Sequence, residues 1–246
     1  MMNLALREKA IICGLFLSKF DSKGLAALGF DTFKEAFNVL ALAIKAKPAS
    51  IKNYRDELDP LFPNIRQGWH KRKLRGHCQK IYDTFRNYDL DEMASLVSNL
   101  TGCSLTTDAS EENISESETF AKRLLTGRAA ENFFLANYRA EPEFESSSAI
   151  DVTQTGCGFD FRLQNDATSS FNAVEVKGIR LEKGGISFTN KEHSVADSLR
   201  ELYYLYIVKN FDEVPYAVKY RDPLRAGLEF KRLERKVIQI SWSAKL

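Results

Sequence analysis

The chain reads as α/β (α+β): a helical N-terminal part, then a C-terminal part built on a central mixed β-sheet flanked by helices. Three observations predict this. Before about residue 105 the apolar residues recur at helical spacing, separated by turn signals. After about residue 145 short segments alternate as strands do, with further helical patterns around them. Between the two lies Thr106-Thr-Asp-Ala-Ser-Glu-Glu-Asn-Ile-Ser-Glu-Ser-Glu-Thr119, which has five acids, no base and one large apolar residue. Such a stretch buries too little surface to order itself strongly. The expected layout is therefore a helical, basic domain over 1–105, an acidic linker over 106–119 and a second domain over 120–246.

Length and composition set bounds. The chain has 246 residues, 44% hydrophobic and 28% charged, enough for one large or two modest globular units. No apolar run approaches a membrane span. Ala10–Leu17 is too short and is flanked by Lys9 and Lys19, so it reads as a buried helix. Cys13, Cys78, Cys103 and Cys157 are far apart with no CxxC pair, which argues against a disulfide framework or a zinc site and makes the cytoplasm the expected compartment. Net charge is only +2 but uneven: residues 1–100 carry 16 Lys+Arg against 11 Asp+Glu.

In the N-terminal part, Leu4, Ala10, Ile11, Leu15 and Leu17 predict a first helix. A second runs over about Thr32–Ala46, through Phe33, Ala36, Phe37, Leu40, Leu42 and Ile44. Pro48 disfavours helix at Lys47, and Ser50 is a good N-cap for a third over Ile51–Leu58. Helix, short turn, then a helix opening with Lys52, Asn53 and Arg55 is the layout of a helix-turn-helix DNA reader, and equally of plain helix packing. Between Asp59 and Asp83 there is no acid, while Arg66, His70, Lys71, Arg72, Lys73 and Arg75 crowd the stretch. A basic loop of this kind suits phosphate contact, or forms a solvated basic face.

In the C-terminal part, Leu124, Leu125, Ala129, Phe133 and Phe134 predict a helix from Glu118 to about Tyr138, with Gly127 marking either a break or a close backbone approach. Strands are expected at Ser148–Gln154, Gly158–Leu163 and Phe171–Ile179. The polar turn Asn165–Ser170 makes the last two antiparallel neighbours. Gly185–Thr189 is a candidate fourth strand. Ser194–Asn210 reads as one amphipathic helix capped by Ser194, and Tyr216–Tyr220 and Val237–Trp242 alternate like strands.

The chemistry gathers around Glu175-Val176-Lys177. Side chains alternate along a strand, so Glu175 and Lys177 share one face, about 7 Å apart. Asp160 comes from the neighbouring strand candidate. Two carboxylates and an ammonium on one patch suit a hard divalent cation and a water beside a phosphate, which points to phosphodiester hydrolysis. Taken alone, Glu175 and Lys177 would equally make an exposed salt bridge worth at most about 1 kcal/mol.

The series Gly127-Arg-Ala-Ala-Glu131, Gly158-Phe-Asp160 and Glu175-Val-Lys-Gly178 resembles the PD-(D/E)XK nuclease superfamily. More narrowly, with Thr189-Asn-Lys-Glu192 and Arg221-Asp-Pro223, it is similar to the C-terminal domain of NO VEIN-type proteins, also found in prokaryotic restriction and defence endonucleases. The likeness covers about residues 118–225, with Phe159 where the superfamily pattern has proline. It implies a restriction-endonuclease-like core, with Glu131, Asp160, Glu175 and Lys177 as catalytic residues. It further implies Mg²⁺ held by Asp160, Glu175 and the Val176 carbonyl. Lys177 would act on the attacking water and on charge at the phosphate, and Glu131 would complete the acidic cluster. Glu192 would contact metal or DNA, or simply precede the helix.

The expected activity is a Mg²⁺-dependent DNA endonuclease of a type II-like restriction or phage-defence system. Double-stranded DNA would be gripped by Lys52, Asn53, Arg55, Arg66, His70, Lys71, Arg72, Lys73 and Arg75. A homodimer would let one site per chain cut both strands; a companion methyltransferase would suit such a system. The competing class is a non-cleaving DNA-binding or regulatory module with a nuclease-like fold.

Overall fold

The computed structural model describes residues 4–66, 68–69, 72–102, 114–165 and 171–234, with the backbone alone for 114–121. His70, Lys71, most of the acidic stretch, most of the Asn165–Ser170 turn and the candidate strand Val237–Trp242 lie outside the described residues. Among the described residues the elements run α1 (Leu6–Ala27), α2 (Phe33–Ala43), α3 (Pro48–Leu58), α4 (Gly76–Phe85), α5 (Leu90–Leu100) and α6 (Ile114–Asn137). Then come β1 (Ser147–Asp151), β2 (Phe161–Asn165), β3 (Phe171–Ile179), α7 (Asn190–Leu199), β4 (Tyr203–Lys209) and β5 (Tyr216–Arg221). This is an α/β fold with a central mixed sheet flanked by helices.

α1 is the axis of the helical half. Residues 10–18 are buried all round, as expected of a helix enclosed by others. α3 crosses it in near backbone contact: a Cβ at Gly14 would lie 2.8 Å from Tyr54 Cβ and 2.9 Å from the Arg55 nitrogen. The α2–α3 pair exists, but its ends differ from the expected ones. Thr32 caps α2 by accepting from the Glu35 N–H at 3.1 Å. Lys45 (φ 62) follows the helix, which stops at Ala43 rather than Ala46. α3 starts earlier, with Pro48 in the first turn and Lys47 rather than Ser50 at the N-cap position. Proline suits a first turn because its missing N–H would be unpaired there anyway.

The sheet has the order β1-β2-β3-β4-β5, antiparallel except for the parallel pair β3–β4. α6 packs against β3 and β4 on one face, where Val174, Val176, Tyr204, Tyr206 and Val208 join Leu125, Ala129 and Phe134. That cluster continues without interruption into Ile11, Phe16, Leu40 and Val97 of the helical half. The opposite face carries Ala173 and Tyr203 against Ala196 of α7.

Two expectations for the C-terminal half fail. Ser194–Asn210 is not one helix. α7 ends at Leu199, Arg200 takes φ 51, and Tyr203–Lys209 forms β4. Residues 203–208 are all buried. A strand covered on both faces loses its alternation and reads like a buried helix. The α7 cap is Thr189, bonded to Glu192, and not Ser194. Residues 185–189 also form no strand; they are an irregular segment beside the cleft described below.

Candidate active site

A mismatch in strand length makes the site. β2 pairs with β3 only as far as Phe161↔Val174, while β3 continues to Ile179 with β4 on its other side. Beyond the last β2 pair, the Asp160 N–H donates to the Val174 carbonyl at 3.0 Å. The Asp160 carboxylate then accepts from the Val176 N–H at 2.8 Å. A side chain thus takes the place of the missing ladder partner. Residues paired across a ladder direct N–H and C=O to the same neighbour, so the Val176 carbonyl faces this open edge too.

The turn carrying Asp160 is held from behind. Gly158 adopts φ +97, and a Cβ there would sit 2.8 Å from Val195 Cγ2 of α7. Only glycine accepts both the left-handed backbone and that approach. The Tyr203 hydroxyl donates to the Gly158 carbonyl at 3.1 Å. Burial, with Glu175 and Glu192 nearby, keeps that hydroxyl protonated.

Glu175 and Lys177 share a face of β3, as alternation requires. Lys177 Nζ lies 2.6 Å from Glu175 Oε1 and 3.1 Å from Glu192 Oε2. Glu192 sits in the first turn of α7, where the same oxygen accepts from the Thr189 N–H at 2.8 Å. It therefore caps a helix and touches the lysine at once. Glu131, on α6, pairs with Arg128 at 2.8 Å and faces the same cleft. The cleft is about 570 Å³ and is lined by Glu131, Asp160, Glu175, Val176, Lys177 and Glu192, among others.

Electrostatics set these groups apart. Glu175 is only 3% exposed. Burial first, then the Asp160 charge, push its carboxyl up to about 8, against the pull of Lys177. Burial raises Asp160 to about 6; the Val176 N–H bond opposes this and Glu131 adds to it. Burial works against the charge on Lys177, yet Glu175 and Glu192 outweigh it and raise the lysine above its ordinary value. The lysine is therefore held as an ammonium. Among the described residues no three His, Cys, Asp or Glu side chains group closely enough to hold a metal by themselves. The donors at the open edge are two carboxylates and a backbone carbonyl, all oxygen. Such a set suits a hard cation that keeps several waters.

The described basic residues of the helical half do not line this cleft, and several are engaged internally. Arg55 is nearly buried, bonded to Asp56 at 2.7 Å and stacked over Phe33 and Phe37. Arg66 holds Asp59 through two 2.9 Å bonds and Asp21 at 2.7 Å. Arg75 holds Glu57 at 2.9 and 2.5 Å. Lys52 pairs with Asp56 at 2.8 Å. Asn53, Arg72 and Lys73 are exposed, with Arg72 over the Trp69 ring. The sequence showed the positive stretch but not its carboxylate partners, which come from α1, α3 and the turn after α3.

Sequence reasoning also missed three cations on the cleft wall: Lys122, Arg123 and Arg180. No motif marks them. They meet only because α6 crosses β3 with Thr126 against Gly178, where an added Cβ would lie 2.8 Å from Thr126 Cγ2.

Fold and site together define a mixed-sheet α/β protein with a charged cleft at the open edge of its central strand. The family model described as Protein NO VEIN, C-terminal, matches residues 130–221, under half of the chain but including Glu131, Asp160, Glu175, Lys177 and Glu192. No curated protein and no solved structure matches the chain. No helix among the described residues is long and apolar enough to cross a membrane.

Proposed function

We propose that the chain is a Mg²⁺-dependent endonuclease that hydrolyses phosphodiester bonds of double-stranded DNA, in a restriction or phage-defence role. One observation carries the reading: Asp160, Glu175, the Val176 carbonyl and Lys177 converge at the open edge of β3. Asp160 and Glu175 with that carbonyl would hold the cation, which when bound would polarise a phosphate oxygen and acidify a water. Burial raises both carboxyls and the Asp160 charge adds to the rise at Glu175, so a cation at the site would favour their ionised forms.

Lys177 is best suited to stabilising charge. Its ammonium, kept protonated by Glu175 and Glu192, can donate to a phosphate oxygen as negative charge grows there. An already protonated lysine cannot take a proton from water, so the general-base role is the weaker of the two expected for it. Glu131 adds negative charge beside Asp160 and can orient a water. The exposed Asn53, Arg72 and Lys73 remain open to DNA, whereas Arg55, Arg66 and Arg75 would first have to leave their carboxylates. Two copies on a two-fold-symmetric site would cut both strands, with a methyltransferase protecting host DNA.

Nicking of supercoiled plasmid with Mg²⁺ or with EDTA tests the reading. Wild type should nick only with Mg²⁺. Lys177→Ala and Asp160→Ala should each lose about 100-fold or more in rate while duplex binding persists. Wild-type rates in both variants would sink the assignment. The second reading, a non-cleaving DNA-binding module, draws on the 2.6 Å Lys177–Glu175 pair, which leaves Glu175 already neutralised. It is upheld if wild type binds duplex and never nicks it with any divalent ion.

A further inference from the structure

The cleft has two ends. α6 and β3 run in opposite directions past each other: Thr126 lies on Gly178, Glu131 acts on Asp160, and Lys122 and Arg180 meet at Glu35. Nine residues of helix separate Lys122 from Glu131, about 13 Å at 1.5 Å per residue. The carboxylates of the proposed cation site thus lie at one end, and Lys122 and Arg180, with the carboxylates that hold them, at the other.

The cations come from α6 and the end of β3, and the N-terminal half braces them. Glu35 of α2 is wholly buried, and its Oε1 lies 3.3 Å from Arg180 Nε and 3.5 Å from Lys122 Nζ. Asp31, just before α2, also pairs with both cations, and Asp212 holds Arg180 Nε at 3.1 Å. Burial pushes the Glu35 carboxyl up to about 7. Glu35 cannot leave its place without unpacking α2. Asp31 is different: its side chain is 58% exposed, so an incoming anion can replace it. Arg123 lines the same wall, is exposed, and has no ion pair among the described residues. A purely structural network would account for Lys122 and Arg180, but not for a third cation on the same wall that has no carboxylate partner among the described residues.

We propose that this end is a second phosphate subsite, in which Lys122, Arg123 and Arg180 grip the nucleic-acid strand a few nucleotides from the acidic end. Glu35 is the positioning residue that aims Lys122 and Arg180. The identity of the ligand as a nucleic acid rests on the endonuclease reading. The separation fits a linkage a few nucleotides along the same strand rather than the one being cut, given a rise of about 3.4 Å per nucleotide. The helical half, through Glu35 and Asp31, thereby braces one end of the cleft.

Binding of a short fluorescein-labelled duplex, followed by anisotropy across a salt series without divalent ions, tests this. Arg123→Ala is the lead variant, since an exposed residue with no partner among the described residues is a poor candidate for a folding role. It should weaken binding several-fold and reduce the log–log salt slope by about 1, and Arg123→Lys should restore the slope. Lys122→Gln and Arg180→Gln should act alike, read only where the melting curve shows a folded variant. Wild-type affinity and slope in Arg123→Ala, or no duplex binding by wild type, would overturn the subsite. If the predicted slope changes appear but wild type never nicks plasmid, the subsite stands and the hydrolase reading falls.

Discussion

At the residue scale, burial and charge decide what each side chain does. Glu175 and Asp160 have folded-state pKa values raised above their ordinary ones, to about 8 and about 6. Each therefore contributes stability that is fully present below the ordinary carboxyl range and is lost as pH rises through the raised value. The metal-free protein should lose thermal stability between about pH 5 and 8, and Glu175→Gln should flatten that slope; an equal slope in the variant would count against the burial argument. Cation binding should show the opposite trend, tightening as pH rises, because it requires ionised carboxylates.

Arg66 illustrates the other kind of charge. Asp59 is almost wholly buried and depends on it. Arg66→Ala should destabilise by about 3 kcal/mol in urea melts, whereas Lys73→Ala should stay within about 0.5 kcal/mol. Both residues are plain basic letters in one acid-free stretch, and nothing local separates them.

At the scale of elements, close approach governs more than propensity. Gly127 lies in the middle of α6, yet the helix runs straight through it and a Cβ there meets nothing within 4 Å. The tight contact is at Gly178, 2.9 Å from the Thr126 backbone oxygen. Gly178→Ala should therefore cost about 1–3 kcal/mol, while Gly127→Ala should stabilise by up to about 1 kcal/mol; denaturant melts distinguish them. The sequence offered a break or a close approach at Gly127 and neither occurs there; the close approach falls on Gly178, because the contact joins segments some fifty residues apart. The same limit explains β4. Its Tyr203–Val208 run is apolar on both faces, and only its position between β3 and β5 tells strand from helix. β3, by contrast, was legible with its ends correct, since its β-branched and charged residues alternate and polar turns bound it.

At the scale of the whole molecule, the hydrophobic cluster is continuous. Ile11, Phe16 and Leu40 share it with Leu125, Phe134 and Tyr206. Polar ties cross the same seam: Asn38 donates to the Phe211 and Glu213 carbonyls, and Asn132 to those of Leu42 and Ala43. Calorimetry should give one cooperative transition with equal calorimetric and van't Hoff enthalpies. Two separated transitions would mean that the halves fold independently, as the charge division between them first suggests.

The sequence alone determined the class of fold, the helical and sheet-bearing halves, and the strand on which Glu175 and Lys177 share a face. These follow from periodicity and local spacing, which a chain carries wherever it folds. Only the tertiary structure decided which charges are free. It placed Asp160 on the Val176 N–H, Lys177 between two glutamates, Arg66 on Asp59, and Lys122 beside Arg180 over a glutamate from α2. Each pairing joins residues distant in sequence or set by a turn's geometry, and Coulomb energy depends on the distance in space, not along the chain.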